Sequence, residues 1–393
     1  MATTKCRVCG RKFYAEPLLR YENMPRGAQY LPDAESLESD KGVDLAVCQC
    51  SGCGLVQLGN DPVPYYREVI RAAAVSEEMK EFRGNQFGRF AGDFSLKGKK
   101  VIEIGCGRGE YLSLMQACGV KAYGLEYSAE SAAQCVKKGL RVSKGFIQDG
   151  TDKLNDAPFD AFFILNYLEH LPDPNSALAG IYNNLADNAV GLVEVPNFDM
   201  ILRNDLFSEF IGDHLFYFTR ETLAAALKPN GFEIIDCKAV WHDYIISAVV
   251  KKSQATPPGQ GSYALVTGGK LDLARFYKRQ ARLKKEIEEY IRRFGDKKVA
   301  IWGAGHQALA IMALMELAGK IKYVIDSAPF KQGKYTPATH IAIVPPEALD
   351  SDPVAAVIVM AASYSDEVAG IIRRKYDGKT NISILRDYGL EAV

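Results

Sequence analysis

The sequence predicts an α/β protein with a mostly parallel, doubly wound sheet, and three observations support this prediction. Short apolar runs alternate with helical stretches between 101 and 251, and two adjacent strands at the end predict an antiparallel edge. A turn with three glycines, at Gly105, Gly107 and Gly109, follows the first apolar run. A second glycine turn, at Gly303 and Gly305, follows another strand and predicts a second, Rossmann-like region.

Length and composition indicate a globular protein with several domains. At 393 residues the chain is too long for one ordinary core. Its 48 basic and 48 acidic side chains cancel, which disfavours general binding to nucleic acid or anionic membranes. No stretch approaches the ~20 apolar residues of a membrane span, and the first residues lack the apolar core of a signal sequence. We therefore expect a cytoplasmic protein.

The predicted elements follow in a regular order. They are a helix at 76–94, strand 101–105, helix 109–118, strand 121–126, helix 129–138, strands 141–146 and 160–165, helix 174–186, strand 190–195, helix 219–229, and strands 232–240 and 244–251. A segment rich in Pro, Gly, Gln and Ser at 253–262 predicts a linker. A charged helix at 271–294 and strands near 298–302, 323–325 and 355–360 follow it.

Paired cysteines near the amino terminus predict a metal site. Cys6 and Cys9 form one C-x-x-C motif, and Cys50 and Cys53 form another. Four thiolates at this spacing predict a closed, structural zinc site, and Cys48 is a less well spaced substitute for Cys50. Two redox or buried cysteine pairs, or a nucleic-acid-binding knuckle, are the alternatives. The nine cysteines are odd in number and too sparse for a disulfide scaffold.

The first glycine turn predicts a cofactor site at the carboxyl end of its strand. Glycine permits positive φ and lets a ligand approach the main chain. Glu126 ends the next apolar run, at the distance where a carboxylate meets a ribose diol. Dehydrogenases also combine a glycine turn with an acid, so these residues alone do not exclude a dinucleotide cofactor.

Further motifs resemble the class I S-adenosylmethionine-dependent methyltransferases. These are Glu103-Ile-Gly-Cys-Gly-Arg-Gly, Glu126, and Asn166-Tyr-Leu-Glu-His-Leu-Pro-Asp-Pro after the fourth strand. The resemblance implies that S-adenosylmethionine lies against Glu103, Gly105, Cys106, Gly107, Gly109, Tyr111, Glu126, Tyr127, Ile147, Gln148, Asn166, Glu169 and His170. For Glu169 and His170 we favour a helix start and a hydrogen-bonded histidine beside the cofactor over a catalytic pair.

Two later blocks resemble the three-domain C-methyltransferases of deoxysugar biosynthesis. They are Asp213-His-Leu-Phe-Tyr-Phe-Thr and the run that begins Val324-Ile-Asp-Ser-Ala-Pro-Phe-Lys. This resemblance implies a zinc-binding module at 1–65, a methyltransferase domain at 66–252 and a Rossmann-like domain at 253–393. The chain departs from the family where Tyr-His-Glu-His is replaced by Ile211-Gly-Asp-His, and where His242-Asp-Tyr replaces a glycine-rich run. These departures put the acceptor in doubt.

The family resemblance implies a nucleotide-linked keto sugar as methyl acceptor. Carbon methylation then needs a base, and His214 is the candidate because neutral imidazole is available near pH 7. Asp213 is expected to orient His214, and Tyr217, or a tyrosine of the Tyr65-Tyr66 pair, to stabilise an enolate. The expected substrate-binding residues are Tyr65, Asn197, Gly303, Gly305, His306 and Lys331, the last four as a diphosphate site.

Several alternatives stay open at this stage. His214 is also compatible with a buried structural role, and the Gly303 turn with packing alone. The protein is otherwise an O- or N-methyltransferase, or a non-catalytic protein that binds S-adenosylmethionine. We expect a small-molecule partner, no nucleic acid, no membrane, and a monomer or small homo-oligomer.

Overall fold

The computed structural model describes residues 3–69, 75–263, 269–376 and 380–393. The chain forms two compact units, each assembled from several segments. The first unit contains Met1–Pro17, Cys48–Met200 and His214–Leu271, and the second contains Leu18–Val47, Ile201–Asp213 and Asp272–Val393. The linear boundaries at 65/66 and 252/253 stay predictions, because a compact unit need not be continuous in sequence.

The strands and helices are numbered in chain order. The strands are β1 (Leu19–Met24), β2 (Val43–Gln49), β3 (Val56–Leu58), β4 (Lys100–Ile104), β5 (Lys121–Glu126), β6 (Arg141–Lys144), β7 (Phe159–Leu165), β8 (Leu185–Pro196), β9 (Phe216–Tyr217), β10 (Phe232–Val240), β11 (Ile245–Lys252), β12 (Val299–Trp302), β13 (Val324–Ile325), β14 (Ile343–Val344), β15 (Ala356–Val359), β16 (Asn381–Arg386) and β17 (Gly389–Ala392). The α-helices are α1 (Glu77–Asp93), α2 (Glu110–Ala117), α3 (Ala129–Lys137), α4 (Pro174–Asn183), α5 (Phe198–Arg203), α6 (Arg220–Leu227), α7 (Ala274–Phe294), α8 (His306–Leu314), α9 (Ala348–Ser351) and α10 (Ser365–Tyr376). Short 3-10 turns lie at Leu168–His170, Phe207–Glu209, Lys228–Asn230 and Ala362–Tyr364.

The first unit is built on a sheet with the strand order β10-β11-β8-β7-β4-β5-β6. Strands β4 to β8 run parallel, while β11 is antiparallel to β8 and β10 is antiparallel to β11. This confirms the predicted doubly wound sheet with an antiparallel hairpin at its edge. The carboxyl ends of β4, β5 and β7 lie at the same edge of the sheet, where ligands bind in this class of fold.

Helix α1 shows why the sequence forms these elements. Ser76 caps its start by accepting a hydrogen bond from the Met79 N–H at 3.2 Å. Phe87 and Phe90 lie on one face of the helix and are buried in the core. The ring centroid of Phe87 is 5.5 Å from that of Phe163 in β7, so the helix packs directly on the central strands.

One helix is shorter than the sequence predicts. We expected a helix over 174–186, but α4 ends at Asn183 and β8 already begins at Leu185. The Asn184 side chain accepts a hydrogen bond from the Leu154 N–H at 2.9 Å and donates to the Asp152 carbonyl at 2.8 Å. These tertiary hydrogen bonds end the helix, and helical periodicity alone does not reveal them.

The second unit contains a sheet with the order β14-β13-β12-β15-β16-β17. Its strands run parallel except for the final β16–β17 hairpin, which confirms the predicted Rossmann-like region. Strand β1 and most of β2 belong to this unit, where the ring of Tyr21 lies 6.2 Å from that of Phe210. The predicted domain boundaries instead place β1 and β2 in the zinc-binding module at 1–65, together with the amino-terminal cysteines.

A membrane span is not found in the part of the chain that the structure describes. None of the helices there is both long enough and apolar enough to cross a bilayer.

Candidate active site

The glycine turn after β4 closes tightly against neighbouring side chains. Gly105, Gly107 and Gly109 have φ values of +74°, +54° and +80°. A Cβ on Gly105 would lie 2.6 Å from the Tyr167 ring, so no larger residue fits there without movement. The Gly105 and Cys106 N–H groups both donate to the Leu125 carbonyl, at 2.9 and 3.1 Å. The turn is therefore fixed to the end of β5, beside Glu126.

Glu126 lies where the sequence predicts a ribose-binding carboxylate. It is the last residue of β5 and is buried, with 1% of its surface exposed. Its Oε2 accepts a hydrogen bond from the Gly107 N–H and its Oε1 one from the Ser128 N–H, each at 2.8 Å. Burial raises the pKa of this carboxyl, although the two N–H donors oppose that effect. Each oxygen keeps a further lone pair for a ribose hydroxyl.

A small apolar cleft opens beside this loop. Its walls include Gly105, Tyr127, Phe146, Ile147 and Tyr167. Aromatic side chains stack well on a purine ring, so this cleft is the candidate position for the adenine of the expected cofactor.

Arg67 lies against the aromatic side chains beside this cleft, and it is not among the predicted site residues. Its guanidinium lies 4.9 Å from the ring centroid of Tyr66, 5.4 Å from that of Phe146 and 5.7 Å from that of Tyr127. The Tyr167 hydroxyl donates to the Arg67 carbonyl at 2.7 Å, which fixes this segment. Arginine beside Tyr65-Tyr66 was the available signal.

Replacing Glu126 by glutamine should weaken the binding of S-adenosylhomocysteine by about 10–100-fold. A hydrogen bond to a charged group contributes about 1.5–3 kcal/mol, and each tenfold change in affinity corresponds to about 1.4 kcal/mol. Isothermal titration calorimetry measures the change. The matched control is Glu130→Gln in helix α3, which removes the same charge from an exposed position. An affinity within twofold of the parent protein would exclude Glu126 from ribose binding.

Other residues expected near the cofactor occupy several environments. Glu103, Cys106 and Glu169 are buried, whereas Gln148 and Asn166 are exposed. Tyr111 packs in the sheet-facing layer, with its ring centroid 6.5 Å from that of Phe87. Of the predicted cofactor residues, Gly105, Tyr127 and Ile147 line the cleft directly.

The candidate base lies beside the loop that follows β7. His214 and His170 have ring centroids 4.7 Å apart at an interplanar angle of 80°. Glu169 is completely buried, and its Oε1 is 3.9 Å from His170 Nε2. Burial raises the pKa of Glu169 to about 8. The structure thus joins His214 to the Glu169-His170 pair, for which a position beside the cofactor is favoured over a catalytic role in the sequence-based prediction.

The groups expected to assist His214 have contacts of their own. Tyr217 is buried in β9, with its ring centroid 5.8 Å from that of Phe198. Tyr66 packs edge-on against Phe146 at 6.1 Å. The amide of Asn197 donates to the Asp243 carbonyl at 2.7 Å, a contact that fixes the β10–β11 connection.

Asp213 belongs to the second unit, where its carboxylate accepts a hydrogen bond from the Ala28 N–H at 2.6 Å. The preceding Gly212 replaces a histidine of the resembling family. A Cβ at this position would lie 2.2 Å from the Arg26 carbonyl oxygen, so the local backbone requires glycine. The backbone around Gly212 therefore excludes the histidine found in the resembling family unless it moves. The role of Asp213 in orienting His214 stays a prediction.

The four predicted metal-binding cysteines meet in one cluster. Cys6 Sγ is 3.7 Å from Cys53 Sγ, and Cys9 Sγ is 3.3 Å from Cys50 Sγ. All four sulfurs lie within 4.8 Å of one another, and Cys48 is not among them. This arrangement is compatible with tetrahedral zinc held by four thiolates. It also selects Cys50 rather than Cys48 as the third ligand.

Replacing Cys9 by serine should remove one zinc ion from each purified chain and lower the apparent melting temperature by about 5 °C or more, because structural zinc contributes folding free energy directly. Metal analysis and calorimetry test this expectation. Cys118→Ser, outside the cluster, is the control and should keep its zinc. Unchanged zinc content in Cys9→Ser would remove Cys9 from the ligand set.

The second glycine turn carries an acid that the sequence analysis missed. Gly303 has a φ of +120°, and a Cβ there would lie 2.4 Å from the Met360 carbonyl oxygen. Asp326, one residue past β13, accepts a hydrogen bond from the Ala304 N–H at 2.9 Å. Asp326 thus lies at the end of β13 much as Glu126 lies at the end of β5, and an acid directly after the apolar pair Val324-Ile325 was the signal in the sequence.

The two cations expected to hold phosphates differ in accessibility. Lys331 is buried and its ammonium donates to Asp326 Oδ2 and to the Ala304 carbonyl, each at 3.0 Å. His306 opens helix α8 after Gly305 and lies 3.5 Å from Glu209. Burial alone lowers the pKa of His306, but the hydrogen bond and charge of Glu209, with the charge of Asp213, produce a net increase. Diphosphate binding at this turn stays a prediction.

Comparison with known families agrees with this architecture. A family described as a methyltransferase domain matches residues 75–236. A second family, described as a C-methyltransferase C-terminal domain, matches residues 270–382. The first match covers β4 to β8 and the start of β10, and the second covers β12 to β15 and the start of β16.

Individual relatives extend the comparison. The chain is 23% identical to the C-methyltransferase NovU of Streptomyces niveus, over 93% of this chain and 91% of that protein. It is 32% identical to the ubiquinone biosynthesis O-methyltransferase of Methylococcus capsulatus, over 22% of this chain and 38% of that protein. The first similarity spans both matched domains, and the second is local.

Solved structures show weaker likeness. An S-adenosylmethionine-dependent methyltransferase from Clostridium acetobutylicum has a TM-score of 0.37 and 14% identity, covering 48% of this chain and 96% of its own. The PH0226 protein of Pyrococcus horikoshii has a TM-score of 0.40 and 13% identity, covering 49% and 99%. The fold assignment therefore rests on the strand order and the matched families.

Proposed function

We propose that this chain, a divergent member of the S-adenosylmethionine-dependent C-methyltransferases, transfers a methyl group to a carbon atom of its substrate. The acceptor we propose is a nucleotide-linked keto sugar, methylated at a carbon next to its carbonyl. The observation that carries this proposal is the combination, in one chain, of a methyltransferase domain and a C-methyltransferase C-terminal domain. The full-length similarity to a C-methyltransferase supports it.

The cofactor-binding part of the proposal rests on the first unit. S-Adenosylmethionine supplies an electrophilic sulfonium methyl group when it is bound. Glu126 would hold the ribose hydroxyls, Gly105 and Gly107 would permit close approach to the main chain, and Tyr127 and Phe146 would flank the adenine. These residues would hold the cofactor at the carboxyl ends of β4 and β5.

His214 is the proposed base. It would accept the proton from the carbon next to the acceptor carbonyl, and the electron pair left on that carbon would form the new bond to the methyl group while the bond from methyl to sulfur breaks and S-adenosylhomocysteine leaves. A ketone α-proton is far less acidic than imidazolium, so the developing enolate oxygen needs hydrogen-bond donors. Tyr217, Tyr65 and Tyr66 are the proposed donors. In other enzymes, loss of one such donor raises the activation free energy by about 3 kcal/mol. His170, in contact with the ring of His214, would steady its protonated form.

Zinc at Cys6, Cys9, Cys50 and Cys53 is proposed to be structural, because four protein ligands leave no open coordination position. The cluster contains thiols rather than disulfides, which a reducing, cytoplasmic location would preserve. Diphosphate recognition is proposed at the Gly303–Gly305 turn, with His306 at the start of helix α8.

Oxygen methylation is the second candidate, because the local match to a ubiquinone biosynthesis O-methyltransferase and the altered Ile211-Gly-Asp-His block both allow another acceptor. The position of the transferred methyl group decides between them. A panel of nucleoside-diphosphate keto sugars is incubated with ¹³C-methyl S-adenosylmethionine, and the product is analysed by ¹H–¹³C NMR. A methyl carbon bonded to carbon supports the proposal, and one bonded to oxygen overturns it.

Proton exchange tests the base chemistry separately. In deuterated water without the methyl donor, we expect deuterium to replace hydrogen at the acceptor carbon when the enzyme is present. Exchange in the parent protein and its loss in His214→Gln would support enolate formation. Equal exchange in both proteins would exclude His214 as the group that removes the proton.

A further inference from the structure

A second group of metal-binding side chains lies in the first unit, in addition to the four cysteines. It consists of Glu169, His170 and His214. One donor atom of each residue lies within 4.8 Å of those of the other two. We call these three residues the histidine–glutamate cluster.

A backbone hydrogen bond from Leu215 joins the two chain segments of this cluster, and another fixes the turn that carries His170. The Leu215 N–H donates to the Glu169 carbonyl at 2.8 Å, and the His170 N–H donates to the Tyr167 carbonyl at 3.1 Å. The imidazole rings then meet at a centroid distance of 4.7 Å. The donors are therefore brought together by the main chain, which limits the rearrangement that an ion would require.

The carboxylate of Glu169 is the observation that points to a ligand. Its side chain is 0% exposed, and neither oxygen has a hydrogen-bond partner among the residues that the structure describes. The His170 Nε2 lies at 3.9 Å, beyond hydrogen-bond distance. A buried carboxyl group without hydrogen-bond partners is unfavourable by several kcal/mol, and a bound cation would supply the missing partner of its oxygens.

The donor set identifies the class of partner. Two imidazoles and one carboxylate suit Zn²⁺, Co²⁺ or Fe²⁺, whereas Mg²⁺ prefers oxygen ligands. Zinc–ligand bonds of about 2.1 Å in tetrahedral geometry place donor atoms about 3.4 Å apart. The 4.8 Å spread of the cluster needs only small side-chain rotations to reach this spacing.

We propose that the histidine–glutamate cluster binds one divalent transition-metal ion, with one ligand from each of its three residues. The remaining coordination position is left to water or to an oxygen of the acceptor. This site differs from the cysteine cluster, whose four thiolates form a closed set.

The metal site has a consequence for activity that rests on the proposed function. Neutral imidazole has one acceptor nitrogen. When that nitrogen of His214 is bound to a metal ion it cannot take up the proton of the acceptor, so occupation of the cluster and base catalysis exclude each other. Zn²⁺ added above the content of the cysteine cluster should therefore inhibit methyl transfer.

Metal binding is tested on the full chain with its cysteine cluster filled with zinc. Titration with Co²⁺ should show one further ion per chain, with visible absorption bands and without the near-ultraviolet thiolate-to-cobalt bands of a cysteine site. Glu169→Gln keeps the shape of the side chain and should weaken Co²⁺ binding by more than the roughly 10–100-fold that loss of a supporting outer group causes. His170→Asn, a second variant, should do the same.

Cys9→Ser is the matched control, because it removes a ligand of the cysteine cluster and should leave the non-thiolate Co²⁺ bands in place. Thermal unfolding of each variant shows whether it is folded. The proposal is overturned if the parent protein binds no further ion, or if Glu169→Gln and His170→Asn both fold and bind Co²⁺ as tightly as the parent.

The activity measurement separates this proposal from the proposed acceptor. Binding of a second ion by the parent protein and its loss in Glu169→Gln would support the metal site, whatever acceptor is methylated. If no second ion binds in the titration but a keto sugar is methylated, the metal site is overturned and the proposed function stays intact. A second ion that leaves turnover unchanged overturns the claim that metal binding and base catalysis exclude each other.

Discussion

Replacing His214 by glutamine is expected to reduce methyl transfer by about 10²–10⁴-fold while the affinity for S-adenosylhomocysteine stays within a few-fold of the parent value. General base catalysis contributes a rate factor of this size, and glutamine cannot accept the proton of the acceptor carbon. The cofactor contacts proposed for Glu126 and the glycine turn do not involve His214. Steady-state kinetics and calorimetry measure the two quantities on the same preparations.

The control for this substitution is His340→Gln, at a histidine of the second unit that contacts Asp40 rather than the candidate site. It should keep the turnover of the parent protein. If His214→Gln itself turned over within a few-fold of the parent, His214 would have a structural role and another group would be the base.

Replacing Glu194 by alanine is expected to destabilise the first unit by about 3–5 kcal/mol. Glu194 and Arg83 form an ion pair in which both side chains are 0% exposed. Removal of one partner of a buried pair leaves the other charge buried and uncompensated, which has a cost of this size. Arg83 Nε and Nη2 have no hydrogen-bond partners among the described residues even with Glu194 present. No acceptor beside these two atoms would therefore compensate the charge of Arg83 after the carboxylate is lost.

A double substitution and a surface control identify the origin of this effect. Arg83→Met combined with Glu194→Leu removes both charges and should restore much of the lost stability. Glu77→Ala breaks the exposed Glu77–Lys80 pair of the same helix and should change stability by less than about 1 kcal/mol. Calorimetric melting of the variants measures these differences. A loss for Glu194→Ala no larger than that for Glu77→Ala would show that the buried pair contributes little.

The cofactor loop was the most predictable part of the molecule. Its glycines and Glu126 are encoded by local rules, because positive φ selects glycine and the end of the next strand selects the position of the acid. The four cysteines were predictable for a similar reason, since C-x-x-C spacing brings two sulfurs to one ion. Each of these features depends on short-range geometry.

Long-range contacts were not predictable in the same way. Arg83 lies in a stretch that reads as an amphipathic helix, and nothing in its spacing indicates Glu194 as its partner. Lys331 was expected to be available to phosphate, but Asp326 and the Ala304 carbonyl hold its ammonium in the interior. A charged residue has the same sequence signature whether it faces solvent or a buried partner.

The sequence by itself determined the alternation of strands and helices, the glycine turns and the two cysteine pairs, because backbone freedom and hydrophobic periodicity act over a few residues. Tertiary structure alone decided that His214 meets Glu169 and His170, and that Glu169 is buried without hydrogen-bond partners among the described residues. That meeting depends on a backbone hydrogen bond between Leu215 and Glu169. Such a bond joins segments far apart in the chain, so no local sequence pattern predicts it.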